Sequence, residues 1–186
     1  MDMTMNFDVN KVLQDRLASS LGLDKYQSII HQIRKTDVSK DTDFQTTFNG
    51  FYRVRRNAEW RNVYYTHFEE VKTGNPTFAS ILTHMYQHTG NIEASFSSKM
   101  LASICPDKPI WDSYIVQLLD MKLVGATQQE KLENAIALYA DMELWYEQFI
   151  QTDKAHECIE VFDRLLPDYQ WMSRIKKLDC ILWSIR

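Results

Sequence analysis

Apolar residues recur along this chain at intervals of three and four almost throughout, the period of an α-helix with one face buried. Val9, Val12, Leu13 and Leu17 form a first stripe behind Asp8, a natural cap. Tyr26, Ile29, Ile30 and Ile33 form a second behind Asp24. Residues 36–47 are polar and read as a loop followed by a helix start. Asn57 is placed to cap a helix with Trp60, Val63, Tyr64, His67 and Val71 on one face. Asn75-Pro76 reads as N-cap and first helical residue, with Phe78, Ile81, Leu82 and Met85 inward and Gly90 as a left-handed stop.

A helix over about 93–104 then halts before Pro106, and Asp112 opens the next, with Ile115, Leu118 and Leu119 inside. Thr127 and Glu130 have the spacing of a capping box, at the head of a long helix through Leu132, Ile136, Tyr139, Met142, Tyr146 and Ile150. Thr152 caps a helix with Ala155, Ile159, Phe162 and Leu166 that Pro167 ends. Met172, Ile175, Leu178, Leu182 and Ile185 make the last stripe. No run alternates as a strand does. The pattern predicts an all-α protein, a compact bundle of roughly eight to nine helices in a single domain over residues 1–186.

Composition fits this picture. The chain has 186 residues, 45% of them apolar, and only five glycines and four prolines, too few for a turn-rich β architecture. Cys105, Cys158 and Cys180 are an odd set with no CxxC spacing, which points to a reducing compartment. Met1-Asp2-Met3-Thr4-Met5-Asn6 has neither the basic nor the apolar part of a leader. No apolar run approaches the roughly 18 residues of a spanning helix, so the expectation is a cytoplasmic protein with no membrane partner.

The net charge of −4 conceals an uneven distribution. Residues 48–65 carry Arg53, Arg55, Arg56 and Arg61 against Glu59, while residues 128–165 are strongly acidic and 171–186 are again basic. The first basic segment interleaves those arginines with Phe48, Phe51, Tyr52, Trp60, Tyr64 and Tyr65. Aromatic faces stack on any base and arginine forks bind phosphate, so Arg53, Arg55, Arg56, Trp60 and Arg61 are candidate nucleic-acid contacts. The plainer reading is an aromatic core strip whose arginines pair with the acidic C-terminal half.

Lys99 lies on the helix over 93–104, and Asp112 follows a short connection. An amine and a carboxylate on neighbouring helices can act together on a sugar or carbonyl carbon. Equally, Asp112 is an N-cap by position and Lys99 a lysine whose stem lies at the edge of an apolar stripe.

Residues 93–118 resemble the helix-hairpin-helix DNA glycosylases. In that superfamily a lysine lies early in a helix, and a Pro-x-Asp-Thr-x-Val stretch with a catalytic aspartate comes after it. Here Lys99 precedes Pro109-Ile110-Trp111-Asp112-Ser113-Tyr114-Ile115, the same order with one residue inserted before the aspartate. The family's Leu-Pro-Gly-Val-Gly hairpin holds a DNA phosphate on its backbone N–H groups. Residues 88–96 of this chain carry one glycine there, and Glu93. The cysteine cluster that holds iron and sulfur in some members has no counterpart. The resemblance implies a helix-hairpin-helix glycosylase-like fold, DNA as partner, Lys99 as the attacking amine, Asp112 as the group that stabilises positive charge on the sugar, and no cofactor. The expectation is therefore a DNA-binding protein resembling base-excision repair glycosylases, with catalysis retained or lost. The alternative is a non-enzymatic helical module whose protein partner engages the aromatic strip or the acidic helix over 128–151.

His84 and His88 stand four apart on one helix, a spacing that suits a metal, but Met85 occupies the glutamate position of HExxH and no third ligand is evident, so no metal is expected. Phe96 occupies the serine position of S-x-x-K. GxSxG, P-loop and GxGxxG motifs are absent, which removes serine hydrolase, P-loop and Rossmann readings.

Overall fold

A computed structural model describes residues 7–17 and 22–185. The N-terminal segment read above as carrying no leader lies outside the described residues, as do Arg186 and the side chains of Arg16 and Leu17. The described residues form ten α-helices and one short 3₁₀ turn, and no strand. In chain order the helices are α1 (Val9–Leu17), α2 (Leu23–Gln32), α3 (Thr42–Tyr52), α4 (Ala58–Val71), α5 (Phe78–Thr89), α6 (Ala94–Ile104), α7 (Ser113–Leu118), α8 (Gln128–Phe149), α9 (Asp153–Leu165) and α10 (Arg174–Ser184). The all-α architecture agrees with the periodicity, with more helices than the pattern predicts. The extra one is α3: the loop and helix start read over residues 36–47 become a complete helix that begins at Thr42 and runs to Tyr52. Phe44, Phe48 and Tyr52 recur every four residues there and are buried. Asp41 caps it by accepting from the backbone N–H groups of Asp43 and Phe44.

Most helix starts follow side-chain capping. Asn57 accepts from Trp60, Thr127 and Glu130 form a reciprocal box, and Thr152 and Ser173 accept from Ala155 and Lys176. Two assignments shift. The N-cap of α5 is Thr77, boxed with Ser80, so Asn75-Pro76 stands outside the helix. The N-cap of α2 is Gly22 in the left-handed region, and Asp24 lies within the first turn, where it accepts a hydrogen bond from the Tyr169 hydroxyl. Thr77 has the extended backbone that an N-cap needs, whereas Gly22 leads into α2 through a left-handed turn that glycine takes without strain. Leu118, expected inside, is 36% exposed because α7 ends beside it, while Ile115 and Leu119 are buried.

One continuous core runs through the chain. Its centre is aromatic. Phe48 contacts Phe44, Tyr52, Tyr64, Tyr65 and Phe68 with ring centroids 4.7–6.0 Å apart. Each such ring contributes about 1.5–3 kcal/mol by leaving water. Helices α4, α5 and α6 pack in succession, α8 lies on α5, and α10 closes against α1, α7 and α9.

The connection between α6 and α7 is fixed from several sides, and this sets the site. The Trp111 N–H donates to Ser98 Oγ at 2.9 Å, the Tyr139 hydroxyl donates to the Pro109 carbonyl at 2.8 Å, and Ser173 Oγ donates to the Pro106 carbonyl at 2.6 Å. Helix α6, helix α8 and the start of α10 therefore all hold the loop that delivers Asp112.

Candidate functional site

Asp112 is the N-cap of α7, its carboxylate accepting from the Tyr114 N–H at 2.9 Å. The same residue lines a cleft of about 420 Å³. Lys99 of α6 lines that cleft too, so the structure brings the two residues onto one surface. The remaining walls come from Lys25 on α2, the end of α3 with Phe51, Tyr52 and Arg53, and Lys176, Asp179, Cys180 and Trp183 on α10.

Lys99 does not extend into solvent. Its stem is half-buried, its Nζ donates to the Tyr52 carbonyl at 3.3 Å, and the ammonium lies 4.9 Å from the centre of the Phe96 ring. Burial holds its amine below the ordinary lysine range, with Lys176 and Arg53 adding to this and Asp112 opposing it. An amine so placed carries a larger share of its neutral, nucleophilic form near neutral pH than a solvated lysine does. Arg53 ends α3 with φ of 54°, a left-handed conformation that closes the helix at the edge of the cleft it lines.

The inner wall is unusual in charge. Lys176 is 5% exposed, and its ammonium lies 4.9, 5.8 and 5.9 Å from the ring centres of Tyr26, Phe51 and Tyr52. One turn further along α10, Asp179 is also 5% exposed and accepts from the Tyr146 hydroxyl at 2.5 Å. Burial pushes its carboxyl up to about 6, against the pull of Lys176 and the Tyr146 hydrogen bond. Burial likewise raises the Cys180 thiol, to about 11, so it is no ready nucleophile.

The other candidate contacts separate. Arg55, Arg56, Asn57 and Trp60 line a second groove of about 530 Å³ with Asn91, Ile92 and Glu93, between the α3–α4 connection and the α5–α6 turn. Trp60 is buried, stacked on Tyr64 at 4.9 Å and set edge-on to Phe96 at 5.0 Å, so its indole belongs to the core. Glu93 has a structural role here. It is 5% exposed, accepts from Trp60 Nε1 at 3.0 Å, and pairs with Arg56 at 2.9 Å. Arg61 is half-buried on α4 and lines neither concavity. None of the four arginines pairs with an acid of residues 128–165 among the described residues. The ion pairs of that acidic half run to Lys108, Lys154 and Lys177.

His84 and His88 sit together, but their rings stack at 4.1 Å, and His67 joins the stack at 3.6 Å from His84. Ring nitrogens lie in the ring plane, so parallel imidazoles do not converge on an ion. No group of three His, Cys, Asp or Glu side chains among the described residues is arranged to hold a metal.

The sequence pattern did not single out Lys25, Lys176, Asp179, Cys180 or Trp183 for the cleft. The signal for two of them lay in α10, where Lys176 and Asp179 sit among Ile175, Leu178 and Leu182 rather than opposite them. No helix among the described residues is long and apolar enough to cross a membrane. Comparison with protein-family models, curated proteins and solved structures gave no match for this chain.

Proposed function

We propose that the cleft is a lysine-based site acting on DNA, in a protein built like the helix-hairpin-helix glycosylases. The observation that carries this reading is the meeting of Lys99 and Asp112 in one cleft, with the amine half-buried and hydrogen-bonded to a carbonyl rather than to a carboxylate. The order of parts supports it. Helix α5, a tight turn with Gly90 at φ of 71°, and α6 with Lys99 come in sequence, and the capping Asp112 follows.

On an abasic sugar the neutral Lys99 amine adds to the C1′ aldehyde carbon; the carbinolamine hydroxyl takes a proton from solvent and leaves as water, giving a protonated imine. On an intact nucleoside the amine attacks C1′, the C1′–N bond breaks, and its electron pair goes to the departing base. Asp112 offsets the positive charge that develops on the sugar. Arg53 on the rim and Arg55 in the neighbouring groove are placed to hold phosphates, which position the strand without reading it.

Borohydride trapping on abasic-site DNA tests the chemistry, since hydride converts the imine to a stable secondary amine. The expected result is a covalent adduct mapped to Lys99 that Lys99→Ala abolishes while DNA binding persists. Replacing Arg53, Arg55 and Arg61 by alanine should lower the slope of log affinity against log salt by about 0.9 for each phosphate no longer neutralised. No adduct at any pH, or an adduct mapped to another lysine, overturns the reading.

A further inference from the structure

A lysine beside a carboxylate in a partly dry cleft ordinarily settles into an ion pair, which fixes the proton on the amine and removes the nucleophile. Here the pair is not made. Among the described residues no ion pair involves Lys99, although Asp112 lines the same cleft. We propose that Lys176 is a positioning residue for Lys99: its caged, unpaired positive charge offsets Asp112 and leaves the Lys99 amine free to attack. The inference rests on the reading of Lys99 as the nucleophile.

The geometry supports this in three ways. Lys176 is only 5% exposed, lines the cleft, and has three aromatic rings within 6 Å of its ammonium but no ion pair. Such a cage holds a cation without supplying a counter-charge. Tyr52 is shared, its carbonyl holding Lys99 and its ring walling Lys176. The charges that face Lys99 are Asp112 on one side and Lys176 and Arg53 on the other, with Lys25, Asp179 and Cys180 completing the lining. Arg53 is exposed and screened by salt, whereas Lys176 is buried and screened little. Asp179, one turn along α10, accepts from the Tyr146 hydroxyl and draws on the Lys176 charge without forming an ion pair with it, so it softens the Lys176 effect on Lys99 without cancelling it.

Competitive acetylation of the folded protein across pH, with the Lys99 peptide quantified by mass spectrometry, measures the amine directly and needs no DNA. Lys176→Met keeps length and apolar packing but removes the charge; Lys176→Arg keeps the charge. The expected result is that Lys176→Met moves the Lys99 titration upward, with a loss of labelling near pH 8 that wild type does not show. Lys176→Arg should label as wild type. Where the methionine variant loses its helical spectrum, Lys176→Gln makes the same comparison. Equal titration in wild type and the uncharged variants, or equal shifts in Met and Arg variants, overturns the proposal. A shift with no trapped DNA adduct in the wild type overturns the DNA reading alone. Trapping without a shift overturns the Lys176 role alone.

Discussion

Glu93→Ala should be among the more damaging changes outside the cleft. Glu93 stands at the head of α6 and ties the α5–α6 turn to the start of α4. Removing it leaves the indole N–H of Trp60 without its acceptor in a residue that is 7% exposed. An unsatisfied buried donor costs about 1–3 kcal/mol. The Arg56 arm adds little, since Arg56 is 43% exposed there and a pair so open is worth about 1 kcal/mol or less. Relief of the buried charge offsets part of the loss, so the expected net cost is about 1–3 kcal/mol, a large share of the roughly 5–15 kcal/mol typical of a domain. Urea unfolding followed by circular dichroism reads this as a midpoint lowered by about 0.5–1.5 M at unchanged slope. Glu93→Gln keeps an acceptor for the indole and should cost about 1 kcal/mol. In a Trp60→Phe background, Glu93→Ala should lose the indole share of its effect. A Glu93→Ala midpoint indistinguishable from wild type refutes the reasoning, as does an equal cost in both backgrounds.

Asp112→Ala should cost about 0.5–2 kcal/mol by removing the cap on the Tyr114 N–H, whereas Asp112→Asn, an equally good cap, should hold stability while trapping falls; equal loss of stability in both variants would contradict the division between capping and charge. Asp179 should make stability fall as pH rises. Its carboxyl is lifted from 3.8 to about 6 in the fold, so between those values the native state binds more protons than the unfolded chain. Asp179→Asn should therefore gain on wild type from about pH 4 to about pH 6, by on the order of 3 kcal/mol, and urea midpoints at several pH values that keep a constant difference would count against it.

Helix starts were the most legible part of the fold. Asn57, Asp112, Thr127 and Thr152 cap where their spacing from the following apolar stripe places them, because a side-chain oxygen and a turn of orphan N–H groups make a local problem with a local solution. Gly22 and Thr77 were harder, since the cap depends on backbone angles that Asp24 and Asn75 do not declare. Helix α3 was obscured by Thr42, Asp43, Gln45, Thr46 and Thr47, which crowd a stripe of only three buried aromatics. Within the cleft, Lys99 and Asp112 were legible as neighbours because a short connection joins their helices. Lys176 and Asp179 come from the far end of the chain, and the packing of α10 against α7, with Lys176 set among rings of α2 and α3, brings them near. Trp60 carried two readings at once. Its place between arginines offers it to a nucleic acid, while its spacing with Tyr64 places it on the apolar face of α4, and in the fold the second of these two readings holds its indole.

The left-handed end of α3 has a consequence for how this chain would respond to selection in the laboratory. An L-residue in that conformation is strained by about 1–2 kcal/mol, and glycine is not. Arg53 can become glycine by a single nucleotide change. A screen that rewarded heat tolerance alone would therefore find Arg53→Gly quickly and keep it, erasing a positive charge from the cleft rim as the protein grew more robust. A screen that also demanded an anionic ligand would hold the arginine in place. The fate of this one codon under the two regimes separates what the fold prefers from what the cleft requires.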